Sequence, residues 1–391
     1  MIAAPKKKKI VLLGMMTRMP VPGNTWLVVH YLLGFQRLGY DAYYVEAHGS
    51  TPRELMEKPE DDSSARAAAF IDRVLGRFDL GDRWAFHGLH DAGRCYGMTE
   101  LQLRELYRSA ELIINLHGGT VPSPEHVAGG RMVYLETDPV TCAIRLHHKN
   151  PDALTMMESH RAFFTWGLNY GHPDCQVPLP ERFRFRPSPP PVLLDLWQSE
   201  NGVANETFTT VGNWRQPGQV KFRGEIYHWS KHHEFLKFLD LPRRTSQSFE
   251  LALASCDHED QRLLKQNGWL FRPASDVSGD LDAYRRYITA SRGEFTVAKD
   301  QNVRLRSGWF SERSAQYLAA GRPVITQDTG FGNVLPTGRG LFAFSNLEQI
   351  VEAVDRINSD YASHSRAARE IAQEYFAAER VLATLIEHAG L

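Results

Sequence analysis

Short, nearly continuous apolar runs alternate with amphipathic helical stretches along this chain; the alternation breaks once, at "ERFRFRPSPPP" (Glu181 to Pro191), and then restarts. Runs of that kind leave no face for solvent. They read as parallel strands covered by helices on both sides, the layering of doubly wound α/β domains. Before the break the pattern predicts strands at Lys9–Met15, Ala42–Glu46, Glu111–Leu116, Arg131–Glu136 and Ala162–Trp166, with helices at Asn24–Leu38, Ser64–Phe78 and Glu100–Ser109. After it, strands are expected at Thr207–Val211, Phe249–Ala254, Trp269–Phe271, Glu294–Ala298 and Pro323–Thr326. Helices are expected near Trp229–Phe238 and at Glu259–Gln266, Leu281–Ala290 and Ser311–Ala320, followed by a helical tail from Leu347. Pro189, Pro190 and Pro191 favour an extended, semi-rigid conformation, which marks the segment as a linker. The expectation is two Rossmann-like domains, residues 1–190 and 191–375, facing each other. Such sheets bind ligands beyond the carboxyl ends of their strands, so the cleft between them is where a site belongs.

At 391 residues the chain is long enough for two cores, and a formal net charge of -1 gives no global field to draw in nucleic acid or an anionic membrane. Any anion site has to be local. The cysteines Cys95, Cys142, Cys175 and Cys256 form no C-x-x-C pair, which argues against a disulfide framework or a structural zinc site and fits a reducing cytoplasm. The opening "MIAAPKKKKIVLLGMM" has a basic cluster and an apolar run too short for a membrane span, with no small-residue cleavage site; it reads as a solvated tail leading into a first strand.

The most sharply punctuated stretch is "SGWFSERSAQYLAAGRPVITQDTGFGNVLP", Ser307 to Pro336. Gly308 permits close approach of a ligand to the backbone, and Ser311 suits the N-cap of a helix starting near Glu312. Free N–H groups and the positive end of the helix dipole would then face the preceding loop, an arrangement that holds phosphate. Arg304, Arg306 and Arg313 add guanidinium donors. A structural helix flanked by solvated arginines accounts for the same residues. Gly321 ends the helix, Pro323 enters a buried strand, and Asp328, Thr329 and Gly330 form a second loop on the same sheet edge. Earlier, "TTVGNWRQPGQVKFRGE" places Gly212, Asn213 and Arg215 after a strand, with Lys221 and Arg223 nearby.

The segments "SGWFSERSAQYLAAGRPVITQDTGF" and "PTGRGLFAF" resemble the donor half of GT-B glycosyltransferases, most closely over Gly308 to Phe344. The resemblance implies a nucleotide-diphosphate sugar as co-substrate, with UDP among the nucleotides expected, no other cofactor, and a small-molecule or glycan acceptor. It also implies that the last helix, residues 376–391, crosses back to the first domain. On this resemblance the nucleotide and diphosphate fall to Gly212, Asn213, Arg215, Arg272, Arg306, Ser307, Gly308, Ser311, Glu312 and Gln316, and the donor sugar to Asp328, Thr329 and Gly330. The chain departs from the pattern at Gln316, where many members carry a ribose-binding Glu, and at Gly308, where its acidic partner would stand. A nucleotide-sugar epimerase of the same fold, or a sugar-nucleotide-binding scaffold without catalysis, would share these residues.

In the first half, "INLHGGT" ends a strand in His117 beside Gly118 and Gly119, a place for a general base or for a hydrogen bond to a sugar hydroxyl; a lone histidine is also a common structural residue. Glu136 and Asp138 end the next strand. They suit a base on the acceptor hydroxyl or a D-x-D-like metal pair, and Asp138 equally suits fixing the turn before Pro139. The loop after the first strand lacks the G-x-G-x-x-G spacing of a dinucleotide fingerprint. His228 and His232 have no third ligand at a recognisable spacing, so no metal is expected. Met15, Met16, Met19, Trp26 and Trp84 are compatible with an apolar acceptor and equally with core packing.

Overall fold

The computed structural model describes residues 7–198 and 205–391; the tail expected at residues 1–6 lies outside the described residues. The first sheet contains β1 (Lys9–Leu13), β2 (Asp41–His48), β3 (Trp84–Gly88), β4 (Arg94–Tyr96), β5 (Ala110–Leu116), β6 (Met132–Glu136), β7 (Ala162–Thr165) and β8 (Phe185–Pro187). Their order is β4-β3-β2-β1-β5-β6-β7-β8, and only the β3–β4 pair is antiparallel. The order reverses between β1 and β5, so the loops after these two strands open onto a crevice.

The second half holds β9 (Phe208–Asn213), β10 (Gln219–Phe222), β11 (Glu225–His228), β12 (Phe249–Ala254), β13 (Leu270–Pro273), β14 (Gly293–Thr296), β15 (Val324–Gln327) and β16 (Leu341–Phe344). Six of these form an all-parallel sheet in the order β13-β12-β9-β14-β15-β16, which reverses between β9 and β14. The two doubly wound sheets that the apolar alternation predicts are therefore both present, and each has its own switch point.

Local chemistry explains the elements. The β1 sequence KIVLL is rich in branched apolar side chains, and its last four residues are buried. The helix Pro22–Arg37 starts on a proline, which has no N–H to leave unsatisfied, and 12 of its 16 residues are buried. It is enclosed because the last helix, Ala378–His388, lies across it: a Cβ on Gly34 would sit 2.4 Å from Leu382 Cδ1. Just before that helix, the Val192 N–H donates to the Phe376 carbonyl at 2.7 Å and the Ala378 N–H to the Val192 carbonyl at 2.9 Å. The tail thus returns to the first domain.

The structure adds elements the sequence pattern did not give, among them β4, β16 and the helices Thr141–His147 and Pro151–Glu158, and it differs in three further places. Phe185–Pro187, inside the segment expected as a linker, is the edge strand β8 of the first sheet; Phe185 packs edge-on to Tyr134 and Tyr170, and an edge strand tolerates Pro187. The helix expected near Trp229–Phe238 starts late and is α-helical only over His232–Phe235, continuing as a 3-10 turn to Phe238; before it lies the unexpected β10–β11 hairpin, turned at Arg223 and Gly224 with φ of 50° and 80°. The strand β3 was not foreseen because Trp84–Phe86 is too short an apolar run to register. The hairpin has a structural role: Phe222 and Tyr227 join Val140, Ile144 and Tyr170 of the first half in one apolar cluster, fastening the halves beside the cleft.

Candidate active site

A cavity of about 1020 Å³ lies between the carboxyl ends of the two sheets. From the first domain it is lined by the loop after β1, by His117–Gly119 after β5, and by Glu136–Asp138 at the end of β6. Facing these are Gly212 and Asn213 at the end of β9, Trp229, Lys299 beyond β14, Trp309, and Ser311–Arg313 at the start of the helix Glu312–Ala319. Both switch points therefore contribute, as the topology requires.

His117 sits in the left-handed region with φ 63°, which turns its ring back toward β6. Its Nδ1 lies 2.6 Å from Thr137 Oγ1, while Nε2 is buried and without a protein partner. Burial is the main cause that holds the ring pKa down at about 4, so the imidazole is neutral near pH 7. Glu136 accepts from Thr165 Oγ1 at 2.7 Å and Tyr170 Oη at 3.3 Å through Oε2, and Oε1 has no partner. Burial pushes this carboxyl up to about 8, so it is largely protonated near neutrality. Asp138 accepts through Oδ2 from Lys299 Nζ and Trp229 Nε1, both of the second domain, and its Oδ1 is unpartnered. The Lys299 ammonium also lies 3.6 Å from the centre of the Trp229 ring. Trp309 Nε1 donates to the Thr137 carbonyl at 3.1 Å, a further direct bond between the domains.

On the opposite wall, Ser311 occupies the N-cap position, but its side chain makes no capping bond. The first-turn N–H groups have no intrahelical acceptor and stand at the cleft. Arg313 is buried in a fixed frame: Nε donates to Glu294 Oε1 at 2.5 Å, Nη1 to the Val211 carbonyl at 2.7 Å and Nη2 to Thr296 Oγ1 at 2.9 Å. Lys231 Nζ lies 5.3 Å from the centre of the Trp309 ring, and burial, then the nearby Arg313 charge, lowers its pKa well below the usual lysine value. Lys299 is lowered as well, chiefly by burial, with Asp138 opposing the shift. Three basic side chains, Lys231, Lys299 and Arg313, thus share this region with the carboxyl groups of Glu294 and Asp138. Glu312 lines the cleft with its carboxyl pushed up to about 8 by burial, and Gln316 lies one turn deeper. There Gln316 accepts from Tyr284 Oη at 3.2 Å and sits 3.5 Å from Glu312 Oε1.

Of the residues singled out from sequence, Met15, Met19, His117, Gly118, Gly119, Glu136, Asp138, Gly212, Asn213, Ser311, Glu312 and Arg313 come together in the cleft lining. The others stand outside it. Arg215 is paired with Asp260 at 2.7 Å and Arg272 with Glu250 at 3.2 Å. Arg306 bridges Asp174 and Asp328, each at 2.8 Å. Ser307 is buried and bonded to Asn302 Oδ1 at 2.9 Å. The Gly308 N–H donates to the Thr329 carbonyl at 2.7 Å, and the Thr329 hydroxyl donates to the Trp309 carbonyl at 2.8 Å. Asp328 accepts from the Gly330 N–H at 2.8 Å. These contacts make Ser307–Gly308 and Asp328–Gly330 a brace that sets the course of the helix start. The sequence reading missed Lys231, Lys299 and Trp309 as site residues. Lys299 carried a usable signal, since it closely follows a strand at a switch point; Lys231 did not, because it stood inside a His/Lys cluster that reads as surface. Among the described residues no group of three or more His, Cys, Asp or Glu side chains is placed to hold a metal ion, and no helix is long and apolar enough to cross a membrane.

No protein-family model matches the chain, and no curated protein matches its sequence. Solved structures do match. A glycosyltransferase involved in avilamycin A biosynthesis, AviGT4, is similar over 98% of this chain and 97% of its own, with TM-score 0.54 and 13% identity. The Anabaena protein HepE, solved with UDP and glucose, is similar over 97% and 98%, with TM-score 0.55 and 12% identity. Sucrose-phosphate synthase from Thermosynechococcus elongatus is similar over 97% and 98%, with TM-score 0.54 and 11% identity. The fold is GT-B. Both domains, the cleft and the returning helix of this GT-B chain are covered by these matches, at an identity that speaks for architecture alone.

Proposed function

We propose that the protein is a glycosyltransferase that moves a sugar from a nucleotide diphosphate, UDP in the first instance, to an acceptor hydroxyl in the interdomain cleft, without a metal ion. The observation that carries this reading is the pairing of two unlike walls. One has three buried basic side chains and a helix N-terminus; the other has His117 with a free Nε2. A departing nucleoside diphosphate gains negative charge as the glycosidic bond to phosphate breaks, and fixed donors in a site shielded from water stabilise that charge without reorganising. Lys231, Lys299 and the N–H groups of Ser311–Arg313 would hold the diphosphate, and Arg313 would act chiefly through its charge, because each of its three nitrogens already donates a bond within the protein. Ala274, Ser275 and Ser278, which follow β13 and line the far end of the cavity, would face the nucleoside. Glu312 stands where ribose hydroxyls would arrive and takes the place that Gln316 leaves, Gln316 being turned to Tyr284. On the other wall His117 would meet the reacting acceptor hydroxyl.

Isothermal titration with UDP, TDP and GDP tests the reading. UDP binding that weakens about tenfold in Lys231→Ala, the size of one lost charge-assisted contact, supports it. No heat with any of the three nucleotides sinks it.

A further inference from the structure

Resting on the transferase reading above, we propose that the acceptor is a compact, largely apolar alcohol or phenol, not a sugar chain, bound in a sulfur- and aromatic-lined pocket on the first-domain side of the cleft. Met15 and Met19 come from the loop after β1, Tyr134 from β6, and Cys142 and Met156 from the two short helices Thr141–His147 and Pro151–Glu158; Val220 of the β10–β11 hairpin closes the pocket from the second domain. Two glycines set its shape. A Cβ on Gly118 would lie 2.4 Å from the Tyr134 ring and one on Gly119 2.7 Å from Met15 Sδ, so ring and thioether lie close against main chain that any larger residue would push away. At the mouth Met19 is 42% and Val21 50% exposed, apolar surface that the described chain leaves bare.

Among the described residues that line the cavity, the unpartnered buried polar atoms are His117 Nε2, Glu136 Oε1, Asp138 Oδ1 and Trp166 Nε1, all at or beside the ends of β5, β6 and β7. A glycan entering this pocket would take several hydroxyls out of water, each unmatched one costing about 1–3 kcal/mol, and the methionine wall offers them no partners. A molecule with one hydroxyl at His117 and an apolar body against Met15, Tyr134 and Met156 matches this wall, while the charged side chains the same two helices bring to the lining, Arg145 and Asp152, lie 3.9 Å from each other. Thioethers are suited to this, being polarisable, unbranched and favourable against aromatic rings. The cavity, about 1020 Å³ in all, is shared with the nucleotide sugar, which keeps the acceptor small. In the transfer the acceptor oxygen forms the new bond to the anomeric carbon, the bond from that carbon to phosphate oxygen breaks with its electron pair leaving on the diphosphate, and the hydroxyl proton passes to His117 Nε2.

The test is calorimetric titration of 2-naphthol and of maltose onto the full-length protein, alone and saturated with UDP. Naphthol is expected to bind and maltose not. Met156→Asn is expected to weaken naphthol about tenfold, the scale of one lost buried side-chain contact, while Met156→Leu restores it and both variants keep the wild-type UDP affinity. Maltose binding in place of naphthol, or naphthol affinity unchanged in Met156→Asn, would overturn the assignment. Naphthol binding with no UDP binding would instead overturn the transferase reading and with it the role of acceptor.

Discussion

The carboxylate of Asp138, at the end of β6 in the first domain, is held by the ammonium of Lys299, which follows β14 in the second. Neither group is freely solvated, with side-chain exposures of 27% and 10%, so the pair is more than a surface contact. It spans the cleft floor and couples the approach of the two domains to the charge in the site. Removing Lys299 leaves Asp138 with only the Trp229 indole, and Lys299→Met alone is expected to lower stability by about 3 kcal/mol, the cost of stranding a partly buried charge. Denaturant melts of Lys299→Met, Asp138→Asn and the double variant check this. The double variant should be less destabilised than the sum of the two, with a coupling of about 1 kcal/mol or more.

His117 fixes the acid side of any activity that uses its ring as a base. Because burial holds its pKa at about 4, the neutral imidazole persists well below the usual histidine range. Transfer measured from pH 4 to 8 should show its acid limb near 4, with no inflection at 6.5. His117→Ala should remove that limb along with at least a hundredfold of the rate, the usual worth of a positioned base.

Glu136 makes stability depend on pH in the opposite sense to a salt-bridged carboxylate. Unfolded, it loses its proton near 4.5; folded, it keeps the proton to about 8. Between those values the folded state binds more protons than the unfolded one, so this contribution is fully present below 4.5 and is lost as pH rises through 8. Across that window its slope approaches about 1.4 kcal/mol per pH unit. Glu136→Gln keeps the shape and cannot ionise, so its melting temperature should fall less than the wild type's between pH 5 and pH 8.

Gly308 has φ 78°, and a Cβ there would lie 2.0 Å from the Asn169 backbone nitrogen. Gly308→Ala should therefore cost more than the ~1–3 kcal/mol of a strained backbone alone. Its effect should appear first as loss of thermal stability and of UDP affinity together, because the loop braced by Thr329 carries Trp309 and the helix start. A variant that melts like the wild type would show that the brace does not set the helix.

The β1, β5 and β6 runs, the helix Glu100–Ser109 with its Thr99/Gln102 capping box and the helix Leu281–Ala290 were readable because local propensity and tertiary burial ask for the same residues there. The hairpin was not: β10 and β11 read QVKF and EIYH, each with only two apolar side chains, and what orders them is Phe222 and Tyr227 packing on the other domain. The candidate site divides in the same way. His117 and Asp138 were legible because strand ends in a doubly wound sheet point at the crevice. Arg215, Arg272 and Arg306 looked equally suited to a diphosphate, yet each is engaged by a carboxylate that sequence cannot place beside it.

The order of apolar and amphipathic runs thus determined, by itself, two doubly wound layers and the edges where ligands approach, because strand and helix periodicity and burial on both faces are properties of neighbouring residues. Which cations remain available at the cleft, that Gln316 is turned to Tyr284 while Glu312 faces the cavity, and that Met15, Tyr134 and Met156 enclose one apolar pocket were decided by the tertiary structure. Charge pairing and cavity shape depend on residues brought together from opposite ends of the chain. Burial then sets the ionisation of His117 and Glu136, groups whose usual values would have given the site a different charge.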